Sequence, residues 1–390
     1  MIAMFLAFGV GRFAYTPMLP LMQQQAGLEV DMAGYLASTM YFGYMVGSAV
    51  IMKILSRLGA FSILRFGLIL LIFGIWTMSI GDIFIHWVIV MFCIGIASAA
   101  IFLSTLSIVL GIFIEYGASW LTASLYIGIG VAIVLIGLAV PEIGTTMGWQ
   151  GSWDFVALTA LVAGVGCLWL LTPYNNGHKK DQSDTAPWPV PKAKWAASLL
   201  IAAYSLHGFA CAIGGTFMVA MLAEFPALQG HAHMGWVLVG AMVIPSCIFW
   251  PLVASRRGEG TTTAYLLVLL ALANGIIILW QSPAGVLLAA AIFGSSFLAV
   301  PGLVLGRLGQ LAGSKKDKVT GIATIIYGIS MIIGPAIGGM LAKQTGSFDW
   351  SLTMASVALL FGAVIAVMAE QTTNSYRGVP AQFGVSDTGN

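Results

Sequence analysis

The sequence predicts an all-α integral membrane protein with 12 transmembrane helices, arranged as two pseudo-symmetric six-helix bundles. Three observations carry this expectation. Only 8% of the 390 residues are charged and 59% are hydrophobic, with a mean hydropathy of +0.97, whereas a soluble protein carries about 25% charged residues. Apolar runs of the length needed to cross a bilayer, about 20 residues of helix, recur along the whole chain. The second half of the chain repeats features of the first.

The apolar runs cover residues 1–22, 33–55, 62–81, 84–107, 119–140, 154–172, 195–223, 234–254, 262–280, 284–305, 319–342 and 349–369. The first has no basic region before it and no separate short apolar core, so it reads as a retained helix rather than a signal peptide. Connections are short except for 173–194, a polar, Pro-rich linker in the middle of the chain. Residues 370–390 read as a polar tail without order of its own. The expected domains are therefore an N-terminal bundle (1–172), the linker (173–194), a C-terminal bundle (195–369) and the tail (370–390).

Basic residues fix the expected orientation, because they concentrate on cytoplasmic loops. Loops two–three, six–seven, eight–nine and ten–eleven, the tail and the adjoining helix ends hold 14 of the 16 Lys and Arg residues. The exceptions are Arg12, inside the membrane, and Lys343, on the other side. Both termini and the linker are expected in the cytoplasm. Nothing interleaves basic with aromatic residues in the way nucleic acid requires. The four cysteines lie in apolar segments and read as small hydrophobes. No His/Cys spacing suggests a metal, and no nucleophile elbow or phosphate loop suggests an enzyme.

The repeat is visible in four places. Gly151-Ser152-Trp153-Asp154 at the start of helix six matches Gly346-Ser347-Phe348-Asp349 at the start of helix twelve. Ser56-Arg57-Leu58-Gly59 at the end of helix two matches Ser255-Arg256-Arg257-Gly258 at the end of helix eight. Gly34-Tyr35 matches Gly235-Trp236, and Tyr126 with Gly137 matches Tyr327 with Gly338. Offsets that agree within a few residues on equivalent helices point to a duplicated six-plus-six architecture. Such parallel repeats place a substrate site near the midplane, between the halves.

Arg12 is the first candidate for that site. A charge at mid-membrane depth costs at least about 2.5–3.5 kcal/mol and by default faces a polar cavity or a partner. Its planar fork of donors matches a carboxylate or phosphate, so it would select anions. The competing reading is structural, with Arg12 bonded to freed carbonyls or a Tyr. Gly9 and Gly11 allow close approach. Pro17 and Pro20 free carbonyls one turn earlier and bend the helix. Tyr15 lies about one turn from Arg12 and can share its face.

His207, followed by Gly208-Phe209-Ala210, falls near the repeat counterpart of Arg12. It could bond substrate or carry a coupling proton, since its unperturbed pKa lies near neutrality. A neutral histidine bonded to a carbonyl is the plain alternative. Tyr204 lies one turn earlier on its face. Tyr41, Tyr44, Asn274 and Ser295-Ser296 read as interhelical contacts. No acidic residue falls at midplane depth, the opposite of what a cationic substrate needs.

Twelve helices, a long central loop and two related halves resemble the major facilitator superfamily (MFS), over residues 1–369. The most specific element is Gly328-Ile329-Ser330-Met331-Ile332-Ile333-Gly334-Pro335-Ala336-Ile337-Gly338-Gly339, similar to the family's G-P-x-x-G-G helix motif; Gly334, Pro335 and Gly338 there read as packing and bending devices. The loop two–three signature is degraded. Arg57 and Gly59 stand in register, but Ser56 replaces the family's Asp. Gly-Arg-Phe-Ala-Tyr-Thr-Pro-x-Leu-Pro, residues 11–20, with Ala33-Gly34-Tyr35-Leu36 looks like one bacterial branch of the superfamily. The resemblance implies a monomeric secondary transporter in a bacterial inner membrane, working by alternating access without a cofactor beyond possible proton coupling. It also implies that Tyr126 and Tyr327 line the cavity. The expected cargo is a small organic anion or polar metabolite. Efflux of neutral or hydrophobic compounds is the alternative, and a non-transporting MFS-like sensor or assembly component is a third.

Overall fold

The computed structural model describes residues 1–115, 124–171, 191–228 and 230–377. Every regular element in it is helical. Twelve long helices follow in chain order: α1 Ile2–Ala26, α2 Val30–Leu58, α3 Ala60–Thr77, α4 Phe84–Glu115, α5 and α6 within Ile127–Leu171, α7 Pro191–Ala223, α8 His233–Arg257, α9 Glu259–Leu279, α10 Pro283–Ala312, α11 Lys316–Thr345 and α12 Asp349–Arg377. Among the described residues, eleven continuous helical stretches are long and apolar enough to cross a membrane. One of them, Ser124–Leu170, is 47 residues, about 70 Å of helix at 1.5 Å per residue and far more than one crossing needs. It breaks at Gly148, whose φ of 72° and ψ of 179° are not helical. Residues 127–147 and 149–171 are thus two antiparallel spans, which gives the expected twelve.

Apolar side chains such as Ile69, Phe73, Ile89, Val162, Leu279 and Phe361 are exposed around the outside. They form the surface that a bilayer covers. Charged residues gather at the two ends of the bundle, named here the linker end and the Lys343 end.

Contacts between the first six and last six helices run through α1–α7, α2–α11 and α5–α8. The Thr16 hydroxyl donates to the Gly215 carbonyl, and Ser38 Oγ donates to the Ile332 carbonyl at 2.6 Å. A Cβ on Gly34 would stand 2.3 Å from the Pro335 carbonyl oxygen, and one on Gly130 would stand 2.7 Å from that of Gly240. These backbones approach to a distance that only glycine permits. Lys343 closes the series by bridging to Glu29 and, at 3.0 Å, to Asp31. The Gly34–Pro335, Ser38–Ile332 and Lys343 contacts lie in the half of the bundle toward Lys343, and near mid-helix a Cβ on Gly328 would stand 3.4 Å from Met45. Toward the linker end of α11, a Cβ on Gly321 would meet nothing within 4 Å. The halves are closed on each other at the Lys343 end.

Three boundaries differ from expectation. Helix α4 continues to Glu115 rather than stopping at 107, because residues 108–114 extend the apolar run; the Ser104 hydroxyl is satisfied within the helix by the Ala100 carbonyl at 2.5 Å. Helix α7 begins at Pro191, since proline is well suited to a first turn. The tail expected from Glu370 is helical as far as Arg377. Glu370 is held at the side of the bundle by Arg307, 3.4 Å away. Most of the linker (172–190) and the end of the tail (378–390) lie outside the described residues.

Candidate functional site

Helix α1 does not run as a regular α-helix past Arg12. Residues Phe5–Phe13 form a π-helix, and regular α-helix resumes at Tyr15. A π-turn inserts a residue into the ladder and recurs at functional sites. Pro17 and Pro20 lie just beyond; each lacks the N–H that would tie the preceding carbonyls into an α-ladder. The expected bend is therefore a change of helix type. Gly9 and Gly11 seat this stretch tightly: a Cβ on Gly9 would stand 2.0 Å from Ala132 Cβ of α5, and one on Gly11 2.4 Å from Ser98 Oγ of α4.

Arg12 then projects between the halves. Its guanidinium carbon lies 4.5 Å from the Tyr41 ring centroid, 5.5 Å from that of Phe13 and 5.8 Å from that of Phe8. Nη2 reaches Met331 Sδ of α11 at 3.0 Å, and Nε has no hydrogen-bond partner. Cation–π contacts compensate part of the charge, and a thioether is a weak acceptor. Part of the Arg12 surface remains accessible. Among the described residues, the ion pairs found involve only Arg307 and Lys343 as cations.

The C-terminal half supplies a second group. Tyr204 and His207 of α7 and Tyr327 of α11 hold their rings nearly parallel. Tyr204 and Tyr327 stack at 3.9 Å with planes 12° apart, and His207 lies 6.0 Å from Tyr327 and 6.5 Å from Tyr204. Gly208 makes room: a Cβ there would be 2.7 Å from two carbons of the Tyr327 ring. His207 Nε2 is 3.2 Å from Cys211 Sγ, one turn on. Its Nδ1 has no well-aligned hydrogen bond, and the Phe297 backbone is the polar group beside the ring.

Tyr41, Tyr44 and Tyr327 lie near Arg12, with the Tyr41 hydroxyl beside the guanidinium, and Tyr44, Tyr126, Tyr327 and Arg12 lie near Tyr204. The structure thus brings Arg12, Tyr126, Tyr204, His207 and Tyr327 into one neighbourhood. Tyr15 stands apart from these contacts. Its hydroxyl donates to the Ala33 carbonyl of α2 at 3.2 Å, because the switch from π- to α-helix between Arg12 and Tyr15 rotates it off the Arg12 face. Tyr41, Tyr44 and Met331 join the group without having been singled out for it. Tyr41 and Tyr44 had read as interhelical contacts, and only tertiary packing distinguishes the two roles.

The residues expected to pack or gate fall elsewhere. Gly334 and Gly338 let α11 approach α7, with hypothetical Cβ atoms 2.5 Å from the Phe209 carbonyl oxygen and 3.2 Å from Ile213. The Pro335 carbonyl faces Gly34. Arg57 is exposed in the last turn of α2, and Gly59 caps that helix with a φ of 78°. No group of three or more His, Cys, Asp or Glu side chains that could hold a metal occurs among the described residues.

Twelve apolar helices around a central, partly open group between two closely apposed halves define a multi-pass membrane transporter of the MFS type. The chain is similar over its length to proteins of that class. It is 21% identical over 374 residues to the inner membrane transport protein YdhP of Escherichia coli O157:H7, covering 93% of this chain and 92% of the relative. The protein of the same name from Escherichia coli K12 is 20% identical over the same span. Among solved structures, the D323A mutant of the nucleoside transporter NupG superposes with a TM-score of 0.75 at 14% identity, covering 95% of this chain and 98% of that one. Unmutated NupG gives 0.72 at 13% identity; at such identities the likeness is one of fold. The chain belongs to the family described as "Uncharacterised MFS-type transporter YbfB", whose profile matches residues 4–367.

Proposed function

We propose that this MFS-type protein is a secondary transporter of a small organic anion, working by alternating access about the group at Arg12. The observation that carries the reading is Arg12 itself. It is a guanidinium at mid-membrane depth that meets ring faces, a thioether and the Tyr41 hydroxyl, with Nε unpartnered and no carboxylate paired to it among the described residues. An anion would give that charge the partner it lacks, through charge-assisted and bidentate hydrogen bonds. Tyr126, Tyr204, His207 and Tyr327 would line the rest of the site. On the basic-residue pattern the linker end is cytoplasmic, so the closed Lys343 end is the outer gate. The relatives named as inner membrane proteins support a bacterial inner membrane location. Coupling runs either by proton symport through His207 or by substrate exchange without a proton.

The test is a thermal-shift screen of purified protein against carboxylates, phosphates, sugars and amphipathic drugs, with Arg12→Ala in parallel. A ligand bound only by the folded state raises the transition temperature with concentration. An anion that stabilises the wild type and not Arg12→Ala supports the reading and supplies a substrate for liposome flux. A second reading, efflux of neutral or hydrophobic compounds with Arg12 architectural, is favoured by the Tyr41 ring 4.5 Å from the guanidinium, which already offsets some of its charge. Stabilisation of both proteins alike by neutral compounds alone would select it.

A further inference from the structure

We infer, resting on the anion reading of this site, that the cargo is a flat aromatic anion rather than an aliphatic one: its ring lies on the accessible face of Tyr327 and its charged group at Arg12. The shape of the site argues for this. Tyr204, His207 and Tyr327 share one ring orientation to within 17°. Tyr204 is buried behind the 3.9 Å stack, whereas Tyr327 keeps part of its surface open. One face of Tyr327 is thus taken by Tyr204 and the ring is supported edgewise by Gly208, where a Cβ would clash. The ring plane of Tyr327 is thus fixed, and the residue is only partly buried.

The platform and the charge sit within reach of each other. Arg12 touches Met331, one turn along α11 from Tyr327, so Tyr327 lies near the guanidinium. A planar guanidinium and a stacked ring pair ask for a ligand that is planar and anionic at one edge. Arg12 Nε, on the N-terminal side of this arrangement, is among the buried polar atoms without a hydrogen-bond partner. A saturated ring of the same size and charge satisfies Arg12 equally well but loses the stacking geometry, a difference of about two- to tenfold in affinity.

The experiment measures binding of benzoate, 2-naphthoate, cyclohexanecarboxylate and benzyl alcohol to the purified full-length protein by thermal shift and equilibrium dialysis. Both aromatic carboxylates are expected to bind, with cyclohexanecarboxylate about fivefold weaker than benzoate. Tyr327→Leu should remove that difference and Tyr327→Phe should keep it, which separates loss of the platform from loss of fold. Arg12→Gln should abolish binding of all three carboxylates. If cyclohexanecarboxylate binds the wild type as well as benzoate does, the aromatic inference is overturned while the anion reading stands. If benzyl alcohol binds as well as benzoate and Arg12→Gln changes nothing, the anion reading falls with it. Failure of both aromatic carboxylates to bind also overturns the inference.

Discussion

Arg12 Nη2 lies 3.0 Å from Met331 Sδ, so the one charge buried at the centre of α1 reaches across to α11 of the other half. A thioether is the weakest kind of acceptor for a guanidinium. Replacing it with a carboxylate would give Arg12 a permanent internal partner. Met331→Glu is therefore expected to abolish anion binding while raising or preserving thermal stability. Met331→Leu, close in volume, should cost less than about 1.5 kcal/mol of stability and leave binding within about tenfold. Both are checked by thermal shift and by liposome flux. Anion transport by Met331→Glu at the wild-type rate would show that Arg12 does not hold the cargo.

Closure at the Lys343 end depends on bare backbone. A Cβ on Gly34 would stand 2.3 Å from the Pro335 carbonyl oxygen, a rigid obstacle, and overpacking costs about 1–3 kcal/mol. Gly34→Val should push α2 from α11 and favour the state in which this end is open. The readout is alkylation of a single cysteine placed at Ser38, whose hydroxyl now bonds the Ile332 carbonyl. Labelling should rise about fivefold or more for a shift of 1 kcal/mol or greater. Gly321→Ala, where nothing lies within 4 Å, should leave labelling unchanged. Equal labelling in the two variants would rule out Gly34 as a closure contact.

The helices were legible because the membrane makes them so. Apolar length reports directly on crossing. Arg12 was legible for the same reason, since a lone charge at midplane depth stands out in a chain this apolar. Its surroundings were not. Tyr41 and Met331 approach it only through packing of α2 and α11, and Met331 is one apolar residue in a run of them. Tyr15 lies outside the Arg12 group because the spacing argument assumes 3.6 residues per turn, and the π-helix at Phe5–Phe13 breaks that period. The end of α12 was placed too early because Glu370 looks like the start of a polar tail. Its partner, Arg307, is 63 residues away.

That pair carries the next prediction. Arg307 and Glu370 have side chains only 9% and 13% exposed and lie 3.4 Å apart. Arg307 also donates to Gln310, which in turn donates to Glu259. Helices α9, α10 and α12 are thereby joined at the linker end. Removing one partner of a buried pair costs about 3–5 kcal/mol because the other charge is stranded. Glu370→Ala should fall at the low end of that range, since the Gln310 contact survives. The double variant Arg307→Met with Glu370→Ala should be less destabilised than Glu370→Ala alone, as measured by chemical denaturation in detergent. A double variant that is worse than the single would mean that packing, rather than the stranded charge, sets the cost.

Glu224, just past the end of α7, gives the protein a pH dependence whose sign can be worked out. With Gln23, Gln24, Pro20, Ala220 and Phe348 it lines a cavity of about 180 Å³ at the Lys343 end. Burial, aided by the nearby Asp349 carboxylate, raises its pKa above the ordinary glutamate value. A carboxyl with a raised pKa in the folded state favours folding while it is protonated. Its contribution is complete below the ordinary glutamate pKa and is lost as pH rises through the raised value. Thermal stability should therefore fall as pH increases through the window just above the ordinary glutamate range. Glu224→Gln, neutral at every pH, should flatten that part of the profile and leave the remainder in place. The same profile in wild type and Glu224→Gln would assign the dependence to other groups. A profile that rises through this window and flattens in the variant would reverse the sign and mean that Glu224 is held charged.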